Sequence, residues 1–99
     1  MTKVIYSNKD NEIYFECEGH SKYRNEDTGN NDVCVAVSAI CCMLIRYVCE
    51  KGYAPDICTD GHVKIDIPDK ADEMGEVFSA AMLEFKGLQD CYREHIKVY

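Results

Sequence analysis

The stretch DVCVAVSAICCMLIRYVCEKG, residues 32–52, decides the fold. It reads as one helix, Asp32 to Lys51. Asp32 is a good N-cap residue, because its carboxylate can accept from a free N–H of the first turn. Gly52 stands just past the end, where a glycine stops a helix. Between Val33 and Cys49 only Arg46 is charged. Apolar side chains therefore fall on nearly every side of the wheel, and such a helix must be covered on more than one face. A sheet covers one. The other needs a second helix or a second subunit, so the sequence predicts a homodimer through the Asp32–Lys51 helix.

The flanks supply the sheet. Lys3–Tyr6 reads as a short strand, and Asn8–Asn11 is turn chemistry. Glu12–Glu18 alternates, with Ile13, Phe15 and Cys17 on one face and Tyr14, Glu16 and Glu18 on the other, the period of a half-buried strand. Beyond the helix, Ile57-Cys58 and His62–Ile67 make a hairpin across Asp60-Gly61. Pro68-Asp69 ends it, and Asp69 is placed to cap a second, amphipathic helix of about Lys70–Leu88. His95–Tyr99 reads as a last strand. The order is ββα(β)βαβ: an α+β two-layer sandwich, mostly antiparallel sheet with two helices, one domain over residues 1–99.

The totals narrow the function classes. Asp and Glu outnumber Lys and Arg, 18 to 11, for a net charge of −7 and a pI near 4.8. That balance argues against nucleic acid, whose phosphates need a basic surface, and against an anionic membrane surface. It favours a basic protein partner. The start of the chain has no apolar signal-like run. The apolar run Val33–Ile45 is too short to span a bilayer. A cytoplasmic protein is expected, with its seven cysteines reduced and most of them buried as small apolar residues.

Two residues carry the chemistry. Cys34 falls in the first turn of the apolar helix, where unpaired N–H groups and the helix dipole favour thiolate over thiol. His20 closes the Glu12–Glu18 strand, and the polar loop Ser21–Asn31 returns the chain to the helix start. So placed, the imidazole serves as general base and then as proton donor to a leaving amine. N–H groups around Cys34 are candidates for the oxyanion. Asp32 either orients His20 or caps the helix. Tyr23 and Arg24, in the loop, are candidates for substrate contact or a solvated tip. The rival is a metal site: Cys17 with His20, Cys58 with His62, and Cys41-Cys42 have short spacings. No pair of CxxC knuckles supports it, and neither a metal nor a cofactor is expected. Cys41, Cys42, Cys49 and Cys91 read as packing. Glu16 and Glu18 read as a solvated edge, and His95 has no evident partner.

Gly19-His20 followed by Asp32-Val33-Cys34-Val35-Ala36-Val37-Ser38-Ala39 resembles the GHA…DIVCAAVSAL signature of the ribosomal-processing cysteine proteases of Firmicutes and their relatives, the Prp family. The likeness runs along the whole chain. It implies a cytoplasmic, homodimeric cysteine endopeptidase with His20 and Cys34 as its dyad. It implies as substrate the precursor of large-subunit ribosomal protein number twenty-seven, whose N-terminal extension is removed during ribosome maturation. It implies an apolar pocket for aromatic residues, and a loop, Ser21–Asn31, that moves over the site. The departures are Ser21 for alanine, Val35 for the first of two alanines, and a GNND loop end. An alternative of another class is a non-catalytic ribosome-assembly or protein-binding module of the same fold.

Overall fold

A computed structural model describes all 99 residues, Met1–Tyr99. The elements are β1 (Thr2–Ser7), a 3₁₀ turn (Lys9–Asn11), β2 (Ile13–Glu18), α1 (Asp32–Glu50), β3 (Ile57–Thr59), β4 (His62–Ile67), α2 (Ala71–Cys91) and β5 (Ile96–Val98). The strands form one sheet in the order β3-β4-β2-β1-β5. All pairings are antiparallel except β1 with β5. This is the two-layer α+β arrangement that the patterning predicts, with α2 longer by a turn.

Period-two alternation sorts the sheet's faces. Val4, Ile13, Phe15, Cys17, Ile65 and Ile67 point inward and are buried. Val33, Val37, Cys41, Leu44 and Val48 of α1 meet them, as do Met74, Phe78, Ala81, Met82 and Phe85 of α2. Phe15 lies between Phe78 and Phe85, with centroids 6.0 and 5.8 Å away, and Tyr6 stacks on Phe78 at 5.7 Å. Each fully buried phenylalanine contributes on the order of 2–3 kcal/mol through the area it removes from water. The opposite face is solvated. There Glu16, Glu18, Lys64 and Asp66 stand in register with their neighbours across β2 and β4, and the Lys64 ammonium lies over the Tyr14 ring.

The helix starts differ from expectation. Asn31 caps α1: its Oδ1 accepts from the Cys34 N–H at 3.0 Å. Asp32 is the first helical residue, and its Oδ2 accepts from the Asn25 side chain at 2.8 Å. The cap position of α2 is Lys70, which makes no side-chain capping bond. Asp69 instead takes a left-handed φ of 63°. The orphan N–H of Asp72 is satisfied from far away in the sequence, by Asn11 Oδ1 at 2.9 Å. Asn11 itself holds φ 60° in the β1–β2 turn, a conformation asparagine tolerates.

α1 continues beyond Ile45 to Glu50. By length and composition alone it is long and apolar enough to cross a membrane, contrary to what the shorter run suggested. Its buried residues nevertheless form one stripe on the core. Its outer side is bare, with Val35 67% and Met43 46% exposed. The cysteines follow the same division. Only Cys17 and Cys41 are buried, while Cys42, Cys49, Cys58 and Cys91 are exposed. Most of the thiols therefore do not fill the core as expected: Cys42 and Cys49 stand on α1 where nothing in this chain covers it.

Candidate active site

The β2 strand ends at Glu18, and Gly19 turns the chain with φ 106°. A side chain there would collide with the Met1 carbonyl, so only glycine allows the approach. His20 follows. Its carbonyl accepts from the Met1 amino group at 3.0 Å. Ser21 is buried, and its carbonyl accepts from Asn31 Nδ2 at 2.8 Å. The strand end is thereby tied to the helix start. Asn31 uses both ends of its amide: Nδ2 holds the His20-Ser21 segment and Oδ1 caps the helix.

Cys34 is the third residue of α1 and is half-buried. Its Sγ lies 3.9 Å from the Ser21 carbonyl, a weak S–H···O contact that only the protonated sulfur makes. His20 and Cys34 line one cleft of about 220 Å³ between the β2 end, the first half of α1 and the β3–β4 turn. Val37, Ile45, Cys41 and Val63 supply its apolar wall, and Thr59, Asp60 and His62 its polar rim. A cleft with an apolar wall and a few converging polar groups is the form of a small binding site.

Other thiols share the cleft. Cys17 and Cys41 are buried against each other, and that hydrogen-bonded contact together with burial pushes the Cys41 thiol up. Cys42 and Cys58 are exposed and lie away from any helix start. Cys34 alone combines exposure to the cleft with a helix N-terminus, where the dipole favours an anion.

The remaining candidates separate. The Asp32 carboxylate faces Asn25. No hydrogen bond joins it to His20, and Asn31 does the capping. Tyr23 and Arg24 do not line the cleft. The Tyr23 ring packs edge-on against Tyr92 at 4.9 Å and His95 at 5.4 Å, which gives His95 the partner its sequence context did not reveal. Arg24 donates to the Gly29 carbonyl of its own loop. The N–H groups of Cys34 and Val35 are both taken by Asn31, through its Oδ1 and its main-chain carbonyl, so neither is free for an oxyanion here.

The metal-type spacings do not gather into a ligand set. The His, Cys, Asp and Glu side chains that do converge are Glu16, Glu18 and His62, on the solvated face of the sheet. There His62 Nε2 lies 2.6 Å from Glu16 and 3.6 Å from Glu18. The hydrogen bond from His62, helped by one from Tyr14, holds the Glu16 carboxyl below its ordinary value against some desolvation. The alternation marks Glu16 and Glu18 as one face, but only the β2–β4 register brings His62 to them. The sequence does not single out Asn31 as the cap. Asn31 sits beside a more conspicuous Asp.

Comparison with known proteins bears on the fold and the family. No curated protein matches the chain. Among the solved structures that share the fold are two of an S. aureus protease. One, a crystal structure of an essential ribosomal processing protease Prp from S. aureus in complex with a substrate peptide, superposes with a TM-score of 0.75 at 21% identity, covering 100% of this chain and 98% of that one. The other, the S. aureus protease in complex with a covalently linked product peptide, gives 0.73 at 20% identity, covering 99% and 97%. Residues 1–97 match the family described as cysteine protease Prp, and with that match across nearly its whole length the chain belongs to that family of cysteine proteases.

Proposed function

We propose that the chain is an endopeptidase that trims the N-terminal extension of large-subunit ribosomal protein number twenty-seven, with Cys34 as nucleophile and His20 as proton carrier. One observation carries the residue assignment. His20 and Cys34, on different elements, line the same cleft, and the chain between them is pinned by Asn31 to the helix start. His20 takes the Cys34 proton as sulfur leaves the Ser21 carbonyl for the scissile carbonyl. The tetrahedral intermediate collapses to a thioester, and His20 returns the proton to the leaving amine. Water, activated by the same imidazole, then releases the acid. The apolar wall of Val37, Ile45 and Val63 suits an aromatic side chain of the peptide. The substrate itself is supported by the family and by its S. aureus relatives, which are ribosomal processing proteases. The net charge of −7 favours a basic ribosomal precursor.

The bare stripe of α1, with Val35 and Met43 exposed, supports a homodimer through that helix, and the unpaired cysteines suit a cytoplasmic setting. Incubation with the extended ribosomal precursor, read by mass, tests the activity. The expected result is truncation by the wild type and none by Cys34→Ala with its fold intact. Truncation by Cys34→Ala would refute the nucleophile. Binding without cutting by both would leave an assembly or binding module. A Met43→Asp variant that still elutes as a dimer would remove α1 from the interface.

A further inference from the structure

We propose that Gly61 is the seat of the His20 imidazole and a positioning residue for the reaction, an inference that rests on His20 being the proton carrier. The ring makes no hydrogen bond within the chain. The carboxylate best placed in sequence to orient it, Asp32, is engaged by Asn25. A catalytic imidazole without an orienting partner must be held by packing, and the β3–β4 turn supplies it. A Cβ built on Gly61 would overlap Nε2 outright and lie 2.8 Å from Cε1 and 3.1 Å from Cδ2. The far end of the ring therefore occupies the space that any side chain at position 61 would fill. The two segments are also locked as backbones, because the Gly19 N–H donates to the Gly61 carbonyl at 2.9 Å. That bond keeps the backbone that carries the ring beside the turn.

Backbone freedom is not the whole reason for glycine at this position. Gly52 has a similar left-handed conformation, φ 94° against 81° for Gly61, but a Cβ there would meet nothing within 4 Å. Gly52 therefore needs glycine for its backbone, whereas Gly61 needs it for its backbone and for the imidazole. Asparagine tolerates positive φ, so Gly61→Asn keeps the turn and still evicts the ring.

The test compares Gly61→Ala, Gly61→Asn, Gly52→Ala, His20→Ala and the double variant Gly61→Asn/His20→Ala. Readouts are steady-state cleavage of the extended precursor and peptide-resolved iodoacetamide alkylation of Cys34 across pH, with circular dichroism to confirm folding. Gly61→Asn is expected to lower kcat roughly a hundredfold, the usual effect of a misplacement of about 1 Å, with KM within about threefold. Its Cys34 alkylation profile is expected to match that of His20→Ala. Gly52→Ala is expected to keep the wild-type kcat and profile while losing some thermal stability. Once His20 is gone, the position-61 change is expected to have no further effect on Cys34. A merely structural Gly61 would lower the melting temperature, leave the profile in place and act equally with or without His20. Wild-type kcat and profile in Gly61→Asn, or additivity in the double variant, would overturn the seat. If His20→Ala, with Gly61 intact, keeps the wild-type kcat and profile, the dyad fails and the proposal falls with it. That outcome is separable because it is read in a variant whose turn is untouched.

Discussion

The two helices begin in opposite ways. α1 is capped from next door by Asn31, whose amide also grips the Ser21 carbonyl. α2 is capped from across the molecule by Asn11, in the β1–β2 turn. Both bonds meet the same need, the orphan N–H groups of a first helical turn. They do different work. The α1 cap ties the segment that carries His20, just past the end of β2, to the helix that carries Cys34. The α2 cap fastens a helix that presents Phe78 and Phe85 to the sheet and contributes nothing to the cleft. One helix start serves chemistry and the other serves the fold.

The harshest way to test that division is Phe78→Ala. It removes the ring packed between Tyr6 and Phe15 and is expected to cost about 3–5 kcal/mol in denaturant unfolding. What remains folded is expected to keep normal Cys34 alkylation. Slow alkylation in the folded fraction would mean that α2 also shapes the site. Asn31→Ala comes next. Loss of the cap is expected to cost about 1–2 kcal/mol, and the freed Ser21 segment is expected to slow precursor cleavage by roughly tenfold or more as His20 and Cys34 lose registration. Unchanged kcat would reduce Asn31 to a simple cap. Asn11→Ala is expected to cost about 1 kcal/mol with kcat unmoved, so a fall in activity there would erase the contrast between the two starts.

The smallest effect belongs to the solvated face, where His62 pairs with Glu16. The Glu16 carboxyl is lowered chiefly by the hydrogen bond from His62. A depressed folded value means stability that is present above the unfolded value of 4.5 and lost as pH falls through the lowered one. The stability gap between wild type and His62→Gln is therefore expected to be full above the unfolded value and to close as pH falls through the lowered one. A gap that persists at the acid end would show that His62 contributes by packing and not through Glu16.

Much of the architecture was legible in the residue pattern. Alternation through Glu12–Glu18 and His62–Ile67 gave the strand faces, since a period of two has one reading once Phe15 and Ile65 must be buried. The caps were legible only as an end, not as a residue. Asn31, Asp32 and Asp69 are all competent oxygens, and the choice depended on which turn geometry the neighbouring chain imposed. Cys34 stood out because a polar loop gives way to an apolar helix just before it. Tyr23 could not be placed, because its partners Tyr92 and His95 lie at the far end of the chain.

The sequence by itself determined the period of each element, the order of the elements, and the position of a thiol at a helix start, because these depend on residues within a turn or two of one another. Tertiary structure alone decided that His62 meets Glu16, that Asn11 caps α2, and that the imidazole of His20 rests on Gly61. Those contacts join residues far apart along the chain, and they exist only once strand register and helix packing have fixed where each backbone lies.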